Sequence, residues 1–585
     1  MLKQNVPADL QLPEKAGQLF FAQRITELTY FYTKESYRVS TTTVPFLAQE
    51  CLMVLEDHRT FDLHISGVER VFDELKRRSF QNPVVNELIR VPLDNYFEID
   101  HQNLTQIEDV VRVLASEVTP LSYAQKIATL IVQAGSEEKS KLNFLAGELA
   151  CSLINLGVSQ EHIYREACTI FFSENLPSSG DRLATFLQAV QVDGNNISTF
   201  AALIPISSGI GDVNKDVLRL FRAECITDIP VDFEAPEEFV IENAGKSFLY
   251  VKNVKATDCF SAAKLIKRNI VRLHDLHGLF HHKGSSNIGK HLLIAKMNEP
   301  KSSSLVLSDQ NLMTFISDNP RTLAARKLEA MVKTLRLPYG EDSEKFFRIV
   351  DFHGMSLNSA IPDNQLINLW TSLETIAPGV KGKSIVGSVC DGVLPFLGLQ
   401  YIGRIFLQVA RDIKRWNNKK FKETLEHIQI DEGIVHKTFL LIVDPTNEAL
   451  CTSLLSEMTD FPLLQFRISE LNKRFKNGKK AEREVRLHLV KAEQQLHRIY
   501  RARNSIVHSA EKDHHFTENL IISAHEYFDQ VFGLTVELSS TPLCFDNYRD
   551  VFSFSKMAFH SYMKGLNKLG DVAVTEAAKF IWRPD

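Results

Sequence analysis

Long apolar runs are missing from this chain of 585 residues: none approaches the ~20 residues that span a bilayer, so no membrane contact is expected. Paired cysteines are missing too. Cys51, Cys151, Cys168, Cys225, Cys259, Cys390, Cys451 and Cys544 are scattered without a C-x-x-C pair, mostly among apolar neighbours where cysteine behaves as a small hydrophobe, and no function is assigned to them. The opening Met1-Leu2-Lys3-Gln4-Asn5-Val6-Pro7 has no apolar core of a secretory signal, so a reducing cytoplasm is the expected compartment. A strong charge of one sign is also lacking. The net charge of −5 argues against a chain that coats nucleic acid along its whole length. No repeat of fixed period points to a solenoid.

What is present is an ordinary globular composition, 44% hydrophobic and 24% charged, on a chain long enough for two or three domains. Helical periodicity fills roughly the first two hundred residues: Glu14 to Glu35, Thr43 to Glu56, Ser66 to Arg78, Gln106 to Glu117, Ser122 to Gly135, Lys139 to Gly157 and Ser159 to Ser173. Leu176-Pro177-Ser178-Ser179-Gly180-Asp181 and Gly194-Asn195-Asn196 punctuate it, and Asn196-Ile197-Ser198 offers a helix cap. Between 207 and 318 the runs shorten. Glu238 to Ile241, Phe248 to Val251, His291 to Ala295 and Ser304 to Leu307 read as strands around one helix, Cys259 to Leu279. The expectation is a mainly α chain: a helical domain over 1–206, a small α+β or β-rich segment over 207–318, and a helical bundle over 319–585.

Charge is uneven. From Arg467 to Arg503 there are twelve Lys/Arg (467, 473, 474, 476, 479, 480, 483, 486, 491, 498, 501, 503) against four Glu (470, 482, 484, 493). Such a patch attracts a phosphodiester backbone, or forms a solvated interhelical turn around Asn477-Gly478. At its end lies Arg498-Ile499-Tyr500-Arg501-Ala502-Arg503-Asn504-Ser505-Ile506-Val507-His508. The apolar stripe Val485, Leu489, Ala492, Leu496, Ile499, Ile506, Ala510 includes position 503, so Arg503 stands where Ala or Leu is expected. A guanidinium on a buried face costs several kcal/mol (order of magnitude) unless an anion or partner meets it. His497, Arg501, Asn504 and His508 form a second, polar stripe.

Two other signals carry less. Gly284-Ser285-Ser286-Asn287-Ile288-Gly289-Lys290 has the spacing of a phosphate-binding loop, but a helix precedes it, His291 follows, and a strand comes next, the reverse of the strand-to-helix context that loop needs. His274, His277 and His281, with His282 beside them, lie on one helical face and suit either a metal or a helix C-terminus; no metal and no cofactor is expected. His514 and His515 read as loop residues before a helix that Thr517 would cap.

Arg503-Asn504-Ser505-Ile506-Val507-His508 resembles the R-N-x-x-x-H form of the RxxxxH signature of the HEPN superfamily of helical ribonucleases. Upstream, Phe346-Phe347-Arg348 to Leu357, followed by Leu366 to Glu374 with its W-x-x-L-E, looks like the paired helices that open the ApeA-like HEPN branch; the resemblance spans about 321–540. It implies a HEPN-like bundle and metal-independent endoribonuclease activity. His508 would be general base or acid; Arg503 would hold phosphate oxygens and stabilise the transition state; Asn504 would orient the pair. Arg501, also in register with His508, is the alternative arginine. Arg498, Lys491 and Tyr500 would contact RNA, with Trp370 and Glu374 in support. The resemblance further implies two motifs facing each other across a homodimer or higher even oligomer, and an antiviral (phage defence) or toxin effector, with a phage-derived trigger or an antitoxin as partner. The alternative is a non-catalytic RNA-binding or protein-interaction scaffold, in which Arg503 pairs with Glu374.

Overall fold

The structure is a computed structural model that describes the chain except residues 1–4, 32, 34–37, 39–41, 62–64, 101–102, 174–180, 193, 195–196, 207–214, 232, 280–290, 298–302, 308–311, 316–319, 336, 338–341, 381, 509–516, 541–544, 573, 575 and 584–585, and the side chains of 61, 303–305, 307, 314–315, 330, 334 and 508. It is mainly helical with one small antiparallel sheet. Two compact units divide it, Leu28–Tyr30 with Thr42–Gln310, and Met1–Glu27 with Phe31–Thr41 and Asn311–Asp585.

The first unit begins with helices Val44–Phe61, Ser66–Phe80, Leu104–Glu117, Pro120–Gln133, Lys139–Asn155, Gln160–Phe172 and Arg182–Ala189. All but the last were expected from periodicity, and their starts are set by local chemistry: Thr119 caps Ser122, Ser159 caps His162, and Asp181 caps Leu183 and Ala184. Five strands follow: β1 Ser198–Ile206, β2 Ala223–Ile226, β3 Ser247–Ala256, β4 His291–Lys296 and β5 Ser303–Leu307. Their order is β2-β3-β1-β4-β5, every pairing antiparallel.

β1 corrects the expectation of helix up to residue 206. Alternate residues split between two cores: Phe200, Ala202, Ile204 and Ile206 pack with Ile266, Ile270 and Leu273 of the Cys259–Gly278 helix, while Ala201 and Leu203 pack with Phe239, Phe248 and Leu293. A central strand covered on both faces has no polar alternation to announce it. Ser198 therefore opens a strand and caps no helix, and the division expected at 206 and 207 falls directly after the central strand of a sheet. Glu238 to Ile241, expected as strand, is helix Glu237–Glu242: Pro236 stands at its N-cap and two glutamates fill its first turn, where the helix dipole favours them.

The second unit contains the Ala16–Thr29 helix as far as Glu27 and the helices from Arg321 onward. Its axis is the core helix Ile385–Trp416, packed by helices Ile434–Val443, Gly478–His508, Thr517–Ser540 and Tyr548–Leu569. This helix amends the reading that no long apolar run exists. It is the one described helix long and apolar enough to cross a membrane, but 67% of its most apolar window is buried inside the fold. The Ala16–Thr29 helix joins this unit through Phe20 against Phe466 (5.2 Å between ring centroids) and through Gln23, which donates to the Asp460 carbonyl and accepts from the Leu463 N–H. The described cysteines are all free.

Candidate functional site

The helices that carry the two sequence marks of the resemblance, separated by well over a hundred residues, pack against each other. Trp370, on the Pro362–Ile376 helix, is fully buried, and its ring lies 5.2 Å from Tyr500 at 44°. Its indole N–H donates to Glu374 Oε2 at 2.9 Å, a partner one helical turn away that satisfies the only polar atom of a buried indole. Tyr500, expected to touch RNA, thus spends one face of its ring on Trp370.

The motif helix runs unbroken from Gly478 to His508. Val485, Ala492, Leu496 and Ile499 of the apolar stripe are buried, Leu489 and Ile506 are half-buried, and Ala510 lies outside the described residues; Ala481 and Ala502, not counted on the stripe, are buried as well. Arg503 is half-buried on that stripe; it donates from Nη1 to Asn504 Oδ1 at 3.0 Å, and its Nε is buried with no hydrogen-bond partner among the described residues. No carboxylate pairs with it among the described residues, and the Arg503–Glu374 pair weighed above does not form. The charge of this guanidinium is met by one neutral amide, which leaves it disposed to take an anion.

The backbone of His508 closes the helix, and its side chain lies outside the described residues. Helical geometry puts His508 one turn above Asn504 on the same face, about 7.5 Å along the axis from Arg503 and some 140° around it. Arg501 is half-buried and in register with His508; Lys491 is exposed. Arg498 is 9% exposed, which leaves little of it open to RNA.

The basic segment is less positive in three dimensions than in sequence. Arg467 is buried between Glu27 Oε2 (2.5 Å) and Asp412 Oδ2 (3.5 Å). Arg474 donates from Nε to Glu484 Oε2 at 2.6 Å and from Nη2 to the Tyr401 hydroxyl at 3.1 Å. Lys473 with Glu470, Lys479 with Asp571 and Arg486 with Glu482 are exposed pairs, which solvent screens and which still project positive potential. Arg483 and Lys476 are exposed beside them.

A constellation the sequence did not announce lies on other helices of this unit. His353, on Ser343–Asn358, and His525, on Thr517–Ser540, bring their Nε2 atoms to 3.1 Å, and Asp529 places Oδ2 3.4 Å from His525 Nδ1. Burial, then the neighbouring His525, holds His353 below the usual imidazole range. His525 and Asp529 at i and i+4 were legible as one helical face. His353, 172 residues away from His525, was not. Of the signals weighed earlier, His281, His282, His514, His515 and Gly284 to Lys290 lie outside the described residues; His274 Nδ1 stands 3.7 Å from its own neighbour Asp275.

No family model matches the chain, and no curated protein and no solved structure matches it.

Proposed function

We propose that the chain is a metal-independent endoribonuclease of the HEPN type, with Arg503, Asn504 and His508 at its centre and a bundle of that type over about 321–540. The observation that carries this reading is the half-buried Arg503 guanidinium, bonded to Asn504 at 3.0 Å and to no carboxylate among the described residues. The contact of Trp370 with Tyr500 supports it by packing the helix of the W-x-x-L-E mark against the helix that carries the R-N-x-x-x-H mark.

RNA brings its own nucleophile. His508 takes the proton from a 2′-hydroxyl, the 2′ oxygen attacks phosphorus, and the bond to the 5′ oxygen breaks. Arg503 offsets charge on the equatorial oxygens, and His508 of the partner subunit protonates the leaving 5′ oxygen. The products are a 2′,3′-cyclic phosphate and a 5′-hydroxyl. The pairing of acid and base requires a homodimer or higher even oligomer, with RNA in the shared cleft. By analogy alone, the biological role is an antiviral or toxin effector, released by a phage-derived trigger or loss of an antitoxin.

The test is wild type beside Arg503→Ala and His508→Ala, incubated with total RNA and EDTA, with cyclic-phosphate ends measured and growth arrest on overexpression scored in parallel. Each variant is expected to lose ~10²–10⁴-fold in cleavage. Three proteins that behave alike in both assays end the proposal. A second reading, a scaffold that binds RNA or protein without cutting, is favoured by the burial of Arg467 and Arg498 and the pairing of Arg474 with Glu484; it would show as RNA retention with no cyclic-phosphate ends.

A further inference from the structure

We propose that His353, His525 and Asp529 form a binding site for a divalent transition-metal ion of the zinc class, held between the Ser343–Asn358 and Thr517–Ser540 helices. One donor atom from each residue lies within 4.8 Å of the other two. The distance between the imidazole nitrogens is the informative one. Zinc bound at ~2.0–2.1 Å with tetrahedral angles separates two ligating nitrogens by about 3.3 Å, and these stand at 3.1 Å. For the two imidazoles an ion needs shifts of only a few tenths of an ångström (order of magnitude), while Asp529, whose Oδ2 lies 3.4 Å from the Nδ1 side of His525, turns its exposed carboxylate toward the Nε2 pair to join them.

The ligands are also held in place. The His353 ring stacks on Phe528, centroids 4.9 Å apart and planes 17° from parallel, which fixes the plane of its lone pair. His525 is 6% exposed on a helix whose neighbouring residues Ala524, Tyr527 and Phe528 are core. Asp529 follows His525 by one turn on the same face, with its side chain 51% exposed. Two neutral imidazoles and a carboxylate are a donor set that first-row divalent ions accept, and the exposed Asp529 side leaves room for a water as fourth ligand. A neutral ring at position 353, favoured by burial, is the form that ligates. Two imidazoles facing nitrogen to nitrogen otherwise share one proton, an arrangement that a metal ion replaces with two bonds.

The role this implies is a clasp between two helices that are remote in sequence, separate from RNA cleavage by Arg503 and His508. Its readout is therefore metal content. The full-length chain, stripped with chelator and dialysed against zinc chloride, is expected to retain one ion per chain by mass spectrometry, and cobalt is expected to give visible absorption of a low-coordinate site. Affinity is read by competition with a chromophoric chelator. His353→Phe, which keeps the stack on Phe528, is expected to abolish stoichiometric binding, and the exposed Asp529→Asn to weaken it by roughly 10–100-fold. Circular dichroism melts confirm that each variant is folded. A wild type that retains no ion overturns the proposal, as do folded variants that bind like wild type, since the ion would then sit elsewhere.

Discussion

Arg467 belongs by sequence to the basic run that ends at the motif, yet the structure turns it inward, and this gives a quantitative test. Its guanidinium bridges Glu27 (2.5 Å) and Asp412 (3.5 Å), carboxylates that are 2% and 1% exposed, and Arg24 reaches Glu27 from the same helix at 2.7 Å. Arg467→Met keeps the aliphatic stem and removes the charge, so little packing is lost and two buried acids lose the cation they share. Breaking a buried pair in this way costs about 3–5 kcal/mol. All three tryptophans, Trp370, Trp416 and Trp582, lie in the unit that contains this network, so tryptophan fluorescence in urea reports on that unit alone. The midpoint should fall with the slope unchanged.

The pH dependence separates charge from packing. Burial pushes the Glu27 carboxyl up, Arg467 and then Arg24 push it down, and the net is a lowered pKa. Its stabilisation is thus present above the unfolded carboxylate value, about 4.3, and fades as pH falls through the lower folded value. Asp412 is raised by burial, so its contribution has the opposite sign, being full below the unfolded value of about 3.9 and lost as pH rises through the folded one. Without Arg467, Glu27 keeps only Arg24 and Asp412 loses a cation at neutral pH, and both acids can neutralise themselves in acid. The deficit of the variant should be largest at pH 7 and shrink towards pH 4. A deficit below ~1 kcal/mol, or one that does not change with pH, would refute the reasoning.

Gly478 opens the motif helix where it meets the Tyr548–Leu569 helix: a Cβ there would fall on the Leu566 carbonyl oxygen and 2.6 Å from Leu569 Cβ. Gly478→Ala should destabilise by about 1–3 kcal/mol, whereas in an open helix the same change stabilises by up to ~1 kcal/mol; a urea midpoint that rises contradicts the close approach. His488 stacks on Tyr401 at 4.1 Å, and burial, with Lys491, Arg404 and Arg474 nearby, pushes its pKa down to about 3. It should stay neutral, its stabilisation present above ~6.5 and declining as the pH falls towards 3, and a ring resonance that titrates near 6.5 by NMR would show the site to be open.

Much of this architecture was legible in the residues. The longer helices from Val44 to Phe172 announce themselves by apolar spacing and by caps such as Thr119 and Ser159, the short Pro83–Asn86 and Leu93–Phe97 helices do not, and the strands β3, β4 and β5 do so by short apolar runs between breakers. β1 escaped because a strand buried on both faces loses its alternation, and Glu237–Glu242 misled because Phe239, Val240 and Ile241 look alike in either state until Pro236 and the glutamates are weighed. The placement of Arg503 on an apolar stripe and of Trp370 beside a glutamate one turn on could both be read from spacing.

Local spacing decides which side chains share a helical face, because the 3.6-residue period is a property of the chain itself. Which faces meet is decided only by packing. That Trp370 lies against Tyr500, that Arg467 and Arg474 are spent on carboxylates while Arg503 is not, and that His353 finds His525 across 172 positions depend on helices brought together by burial of apolar area, a force without direction or sequence memory. The order of residues set the inventory of charges, and the folded bundle selected which of them would be neutralised and which left to act.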